Sequence, residues 1–329
     1  MCYVPVPESL LGVLALWMNL DSRLPPRKTV LTSIVSHYSN RSVTRMSVDI
    51  FKLDGQDGKA LPIHVPQKVG FLETYRYIME DAADSRVADW FLMGSPFPLL
   101  GIIFLYLLFV LRFGPLFMKN RKPYNLNKFM ICYNISMAIA SATVFYGLLT
   151  SGFTTKFSLG CETHVISNDP DSYRTARWVW RLLMLKVLEL SDTVIFILRK
   201  KYNQASFLHV YHHTSTAFLS WIACKFVPGG MWTFTIMPNC IVHVIMYTYY
   251  LLACLGPQVQ KRIAPWKQYI TGLQMFQFII MICHMFQTLL PTCEPNRKPI
   301  AYIYMSQILV MFCMFCDYYK KSYLRKKTE

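Results

Sequence analysis

The segment His209-Val210-Tyr211-His212-His213 puts three imidazoles into five residues. At spacings i, i+3 and i+4 they share one face of a helix. They open an apolar stretch long enough to cross a bilayer, where an ionisable side chain is costly and marks function. Imidazole offers two chemistries there. It can ligate a metal, or it can take and pass protons and acyl groups itself.

Other polar groups sit in comparable apolar stretches. Lys186, Glu189, Asp192 and Thr193 lie on one segment. A charge at the centre of a spanning helix costs about 2.5–3.5 kcal/mol, so three unpaired charges would cost on the order of 8–10 kcal/mol. Lys186 and Glu189, three apart, can pair within the helix. Asp192 then needs a partner elsewhere, and an imidazole or a tyrosine hydroxyl would serve. Asn239, His243, Tyr247 and Tyr250 form a second stripe, in which the two tyrosines are equally open to a packing role. Thr271, Gln274 and Gln277 form a third, of a kind that also glues membrane helices together. His284 has no clustered partner and reads as structural.

These inventories separate the two chemistries. Iron-dependent desaturation or hydroxylation of acyl chains asks for several histidine boxes. Here five histidines fall within the apolar segments (His209, His212, His213, His243 and His284) and only one box is formed. Besides Glu189 and Asp192, the only carboxylate in those segments is Asp317. That set is thin for two irons. Acid–base and nucleophilic catalysis by imidazole needs fewer groups, provided a buried polar network orients them.

The elements that must position these residues follow from hydropathy. The chain has 329 residues, of which 53% are hydrophobic, and a mean hydropathy of +0.29. That is too apolar for an ordinary soluble domain. Seven apolar stretches stand out, near 97–113, 129–150, 178–198, 207–224, 232–255, 269–290 and 300–318. Each approaches the roughly 20 residues that cross the hydrocarbon as a helix.

The net charge of +16 follows orientation. Sixteen basic residues follow the first, third, fifth and seventh stretches, among them Arg199, Lys200, Lys201, Lys261 and Arg262, whereas seven occupy the alternate loops. The positive-inside rule then places the odd-numbered exits and the C-terminus in the cytosol, and leaves little charge that would argue for nucleic acid. Cys161 and Cys293 fall in loops assigned to the lumen, an oxidising space, so a bridge between them is expected. Cys313 and Cys316 read as small core residues. Lys326 and Lys327, third and fourth from the C-terminus, look like a dilysine signal for retrieval to the endoplasmic reticulum; a basic tail on anionic lipid is the alternative.

Residues 1–69 are of different material, with Leu24-Pro25-Pro26-Arg27-Lys28 and Asp54-Gly55-Gln56-Asp57-Gly58, and read as a poorly ordered extension outside the working domain. The apolar run 10–18 is too short to span and lacks a basic leader. Asn40-Arg41-Ser42 is a sequon, usable if this end is lumenal. The amphipathic segment 71–84 is expected at the membrane interface.

Taken in order, Lys186-x-x-Glu189-x-x-Asp192-Thr193, His209-x-x-His212-His213, Asn239-x-x-x-His243-x-x-Met246-Tyr247-x-Tyr249-Tyr250 and Thr271-x-x-Gln274-x-x-Gln277 resemble the very-long-chain fatty acid elongases, the membrane 3-oxoacyl-CoA synthases. Trp90-Phe91-Leu92-Met93-Gly94-Ser95-Pro96, Gly114-Pro115 and Arg121-Lys122-Pro123-Tyr124 are similar to that family's first-span region, and the likeness covers about residues 70–329. The resemblance implies an all-α polytopic protein of the endoplasmic reticulum. Seven transmembrane helices are expected, six of them forming a barrel around an acyl tunnel. The implied reaction joins malonyl-CoA to a long-chain acyl-CoA, releasing CO2 and CoA, with no metal or other cofactor. His212 would accept the acyl group, with His243 as second imidazole. His209 and His213 would orient the site or move protons, and Asp192, Lys186 and Glu189 would hold it. Asn239, Tyr247, Tyr250, Gln274 and Gln277 would meet substrate. Arg199, Lys200, Lys201, Lys261 and Arg262 would either meet CoA phosphates or serve only to set topology. A lumenal disulfide in the family agrees with Cys161 and Cys293. The other enzymes of the elongation cycle are implied neighbours, a homo-oligomer is open, and membrane lipid surrounds the chain.

Overall fold

A computed structural model describes residues 70–153, 159–294 and 297–324. The expectations for residues 1–69, for Asn40 and for Lys326 and Lys327 fall outside the described residues. Among those described, every regular element is helical. In chain order they are α1 (Phe71–Arg76), α2 (Phe97–Met118), α3 (Asn127–Gly152), α4 (Pro170–Leu198), α5 (Phe207–Phe226), α6 (Gly230–Ala253), α7 (Pro257–Ile263), α8 (Trp266–Leu289) and α9 (Lys298–Leu324).

Five of these (α2, α3, α6, α8 and α9) are long and apolar enough to cross a membrane. The chain is therefore a multi-pass membrane protein. Helices α4 and α5 are equally long but more polar, α4 through its buried charges and α5 through its three imidazoles.

Helix α4 starts at Pro170, well before the apolar stretch expected from 178. Hydropathy missed the beginning because it is polar. Asp169 accepts the Ser172 amide, and proline takes the first turn, where its missing N–H is not needed. At the other end, Lys200 adopts φ 55°. The Lys200 and Lys201 amides donate to Ile197 and Phe196, closing a Schellman turn without the usual glycine. Helix α1 continues as a wide turn over Tyr77–Asp81 and stops short of Asp84, so only part of the amphipathic segment 71–84 is helical.

Packing places α3 against α4 and α6, α4 against α5, α5 against α9, α9 against α8, and α8 against α6. Helix α2 packs outside, against α4 and α5. The approach of α3 to α4 depends on Gly147, where a Cβ would fall 1.9 Å from the Trp178 ring. The segment before α2 is pinned by side chains that reach three successive carbonyls: Trp180 to Phe91, Trp221 to Leu92 and Lys225 to Met93. Asp84, wholly buried, accepts from Arg86, contacts His164 at 3.1 Å, and donates its own amide to the Lys225 carbonyl. Cys161 and Cys293 are joined, as the loop assignment anticipated. Cys313, expected in the core, is exposed instead; it points off the outer face of α9, where an apolar thiol is at home in lipid.

Candidate active site

Two cavities meet at His212. A wide one of about 680 Å³ opens toward the end of the molecule where α4, α6 and α9 finish. A narrow one of about 70 Å³ continues toward the disulfide. His212, Asn239, Gln277 and Phe278 line both. The α5 cap explains how the histidines are presented. Ser206 accepts the His209 amide, so the first imidazole falls on the opening turn and the other two on the next.

Rings of His209 and His213 lie 4.2 Å apart, and those of His212 and His213 5.5 Å apart. His209, His212, His213 and His243 all border the wide cavity. His212 is half-buried, whereas His213 and His243 are buried. His209 Nε2 and His213 Nδ1 are buried without a hydrogen-bond partner among the described residues. The Phe315 ring stands 6.2 Å from His212 and 5.2 Å from Phe278.

Behind the imidazoles lies the charged set of α4. Lys186 Nζ donates to both Glu189 carboxylate oxygens at 3.0 Å, the intrahelical pair read from the sequence. His243 Nδ1 lies 3.1 Å from Glu189 Oε1, and Lys186 Nζ lies 3.4 Å from His243 Nε2. Asp192 finds the tyrosine partner that its burial demanded: the Tyr247 hydroxyl donates to Oδ2 at 2.7 Å. Thr193 Oγ1 lies 2.7 Å from the Tyr106 hydroxyl. Lys186 and Glu189 of α4 thus hold His243 of α6 on its side of the cavity.

The remaining expectations divide by position. Asn239, Tyr250, Gln274 and Gln277 line the wide cavity. Tyr247 does not; it is fully buried behind Asp192 and supports the site from there. Gln274 and Gln277 direct their amides at Met246 and Met281 sulfur. Of the basic candidates, Arg199 and Lys201 reach the wide cavity, whereas Lys200, Lys261 and Arg262 do not. Lys200 reaches the Lys119 carbonyl at 3.4 Å instead. His284 lies 3.2 Å from the Met231 carbonyl, a structural role. Sequence reasoning passed over Lys267, Tyr133, Tyr249 and Phe315, all of which line the wide cavity. Lys267 carries no signal in the sequence that sets it apart from the basic residues that follow orientation. The aromatic residues gave no signal distinct from packing.

Comparison with known proteins agrees with this geometry. The profile of the ELO (GNS1/SUR4) family matches residues 91–329. Very long chain fatty acid elongase 1 of Mus musculus is 39% identical over 254 residues, covering 77% of this chain and 90% of that protein. Very long chain fatty acid elongase 7 of Drosophila melanogaster is 38% identical, covering 78% of each. Very long chain fatty acid elongase 4 of Mus musculus is 38% identical over 277 residues, covering 84% and 88%. With the ordered motifs of α4, α5, α6 and α8 converging on one cavity, this chain belongs to the ELO (GNS1/SUR4) family.

Proposed function

We propose that this protein is the condensing enzyme of fatty acid elongation, a very-long-chain 3-oxoacyl-CoA synthase. The observation that carries the reading is the place of His212, a half-buried imidazole at the junction of a wide cavity and a narrow apolar one. The wide cavity suits CoA, and the narrow apolar one gives the direction in which an acyl tail would run.

In the first stage an imidazole nitrogen of His212 attacks the acyl thioester carbonyl. The C–S bond breaks, the ring proton goes to the departing sulfur, and CoA leaves as its thiol. In the second stage malonyl-CoA loses CO2. The electron pair of the broken C–C bond forms a carbon nucleophile that attacks the acyl-imidazole. The C–N bond breaks, the ring takes up a proton, and 3-oxoacyl-CoA is released. A thioester is activated enough for imidazole to accept the acyl group, and decarboxylation removes the need for a strong base. A dry cavity protects the acyl-imidazole from hydrolysis. His209 and His213 carry protons, and Lys186, Glu189, Asp192 and Tyr247 hold His243 against the site. Arg199, Lys201 and Lys267 meet the CoA phosphates.

The pairing order of α3, α4, α5, α9, α8 and α6 returns to its start and supports a six-helix barrel with α2 outside, seven transmembrane helices in all. Basic residues gathered at the wide mouth support a cytosolic opening and C-terminus, with the disulfide in the lumen of the endoplasmic reticulum. Residues 70–329 are the catalytic domain on this reading, and the reductases and dehydratase that complete the cycle are its neighbours.

The rival reading is a di-iron desaturase or hydroxylase. Among the described residues no three His, Cys, Asp or Glu side chains converge where an ion could sit. One experiment separates the two. Purified, chelator-treated protein is incubated with acyl-CoA alone and its intact mass is measured. An acyl adduct that His212→Ala abolishes, followed by incorporation of labelled malonyl-CoA, is the expected result. Oxygen-dependent turnover with two irons per chain and no adduct would overturn the proposal.

A further inference from the structure

Glu294 is a buried carboxylate that no step above uses. It is 3% exposed and takes φ 49°, a left-handed conformation that a non-glycine residue keeps only when its surroundings impose it. Its Oε1 accepts the His164 amide at 2.5 Å and the Trp232 indole N–H at 3.2 Å. The residue before it, Cys293, is disulfide-bonded to Cys161.

Trp232 lies at the far end of the narrow cavity, with Thr235 and Tyr304 beside it. Its ring meets the Tyr304 ring edge-on at 6.1 Å, and the Tyr304 hydroxyl lies 2.9 Å from Thr235 Oγ1. The chain leading to it is clamped as well. Met231 donates its amide to the Glu162 carbonyl, and Gly230 holds φ 60° with that carbonyl 2.7 Å from where a Cβ would stand. The indole is therefore fixed from outside the cavity, by a carboxylate and a loop that the disulfide ties down.

We infer that the Trp232 indole is the floor against which the acyl methyl end stops, and that Glu294 is the positioning residue that sets its height. This deepens the condensing-enzyme reading and rests on it. With the carboxyl end held at His212, the distance to Trp232 fixes the longest acyl chain accepted. Selection then resides in a hydrogen bond made outside the tunnel.

The test uses the full-length protein in microsomes, labelled malonyl-CoA and a ladder of saturated acyl-CoA primers. Trp232→Leu deepens the cavity and should raise the upper length limit by at least one two-carbon round. Trp232→Phe removes only the N–H donor and part of the ring, and should blur the limit upward. Glu294→Ala should blur it in the same way. Glu294→Gln keeps a carbonyl oxygen for both donors and should restore the wild-type limit, a rescue that a general loss of folding would not give. Cys161→Ser should resemble Glu294→Ala. An unchanged limit in Trp232→Leu and Trp232→Phe, with normal incorporation, would overturn the inference. Equal effects of Glu294→Gln and Glu294→Ala would overturn the role of Glu294. Absence of label from every primer in the wild type would instead bring down the condensing-enzyme reading itself.

Discussion

At the scale of single residues, burial decides which polar groups can act and which must support. Glu189 is wholly buried and has Lys186 and His243 as its neighbours. Glu189→Gln leaves the Lys186 charge buried without its counter-ion, so a loss of about 3–5 kcal/mol is expected. The pair Lys186→Met with Glu189→Leu should recover most of that stability, since a packed apolar pair avoids desolvation, yet should not recover condensation. Thermal unfolding in detergent read beside malonyl incorporation checks both halves. If the double variant were active, the pair would only be glue. Asp84 gives a different kind of test, because it lies outside the spanning helices. Burial alone would raise its carboxyl, but the hydrogen bonds from His164 and Arg86 and the Arg86 charge outweigh that and hold it well below the usual carboxylate range. Its folded value is lower than its unfolded one of about 3.9, so its contribution is complete above that pH and is lost as pH falls toward the folded value. Asp84→Asn should therefore lower the melting temperature at pH 7, and the gap from wild type should narrow in acid. A gap that widens on acidification would contradict this account of Asp84.

At the scale of elements, what could be read from the sequence was whatever hydropathy and polar exceptions to it encode. The stripes of α4, α5, α6 and α8 were visible because a charge or imidazole in an apolar run is conspicuous, and they converge as their partners required. Tyr247 shows the limit. Its spacing put it on the same stripe as His243, but whether it faced substrate or Asp192 depended on where α4 lay beside α6. The early start of α4 and the short α7 were hidden because neither is apolar. The close approach at Gly147 was invisible for the same reason, since small residues carry no hydropathy signal. Two substitutions test these local arguments. Lys200 sits in the left-handed turn that ends α4, where a side chain costs about 1–2 kcal/mol. Lys200→Gly should stabilise the protein by up to that amount, read as a higher melting temperature. Gly147→Ala should do the reverse, costing about 1–3 kcal/mol as α3 is pushed off Trp178. A neutral Gly147→Ala would mean that the two helices part without penalty.

At the scale of the whole molecule, the described helical bundle is polarised. One end is basic and opens into a wide cavity; the other is cross-linked and narrow. Charge count alone could not say which lysines and arginines serve catalysis, because orientation in the membrane and phosphate binding ask for the same residues at the same end. On the proposed function, position in the folded chain separates them. Arg199, Lys201 and Lys267 line the wide cavity, whereas Lys261 and Arg262, in the last turn of α7, do not. On that reading a CoA headgroup drawn by the first set would be held by charges that share a partly enclosed space, where attraction is stronger than on an open surface but still yields to salt over a Debye length of about 8 Å at physiological ionic strength. KM for acyl-CoA should therefore rise with ionic strength while kcat at saturation holds. Replacing Arg199, Lys201 and Lys267 together by alanine should raise KM about tenfold or more and flatten its salt dependence. The same change at Lys261 and Arg262 should leave both the KM and its slope near wild type. If the α7 pair governed the slope and the mouth residues did not, the headgroup would lie over α7, and the route from the mouth to His212 would have to be redrawn.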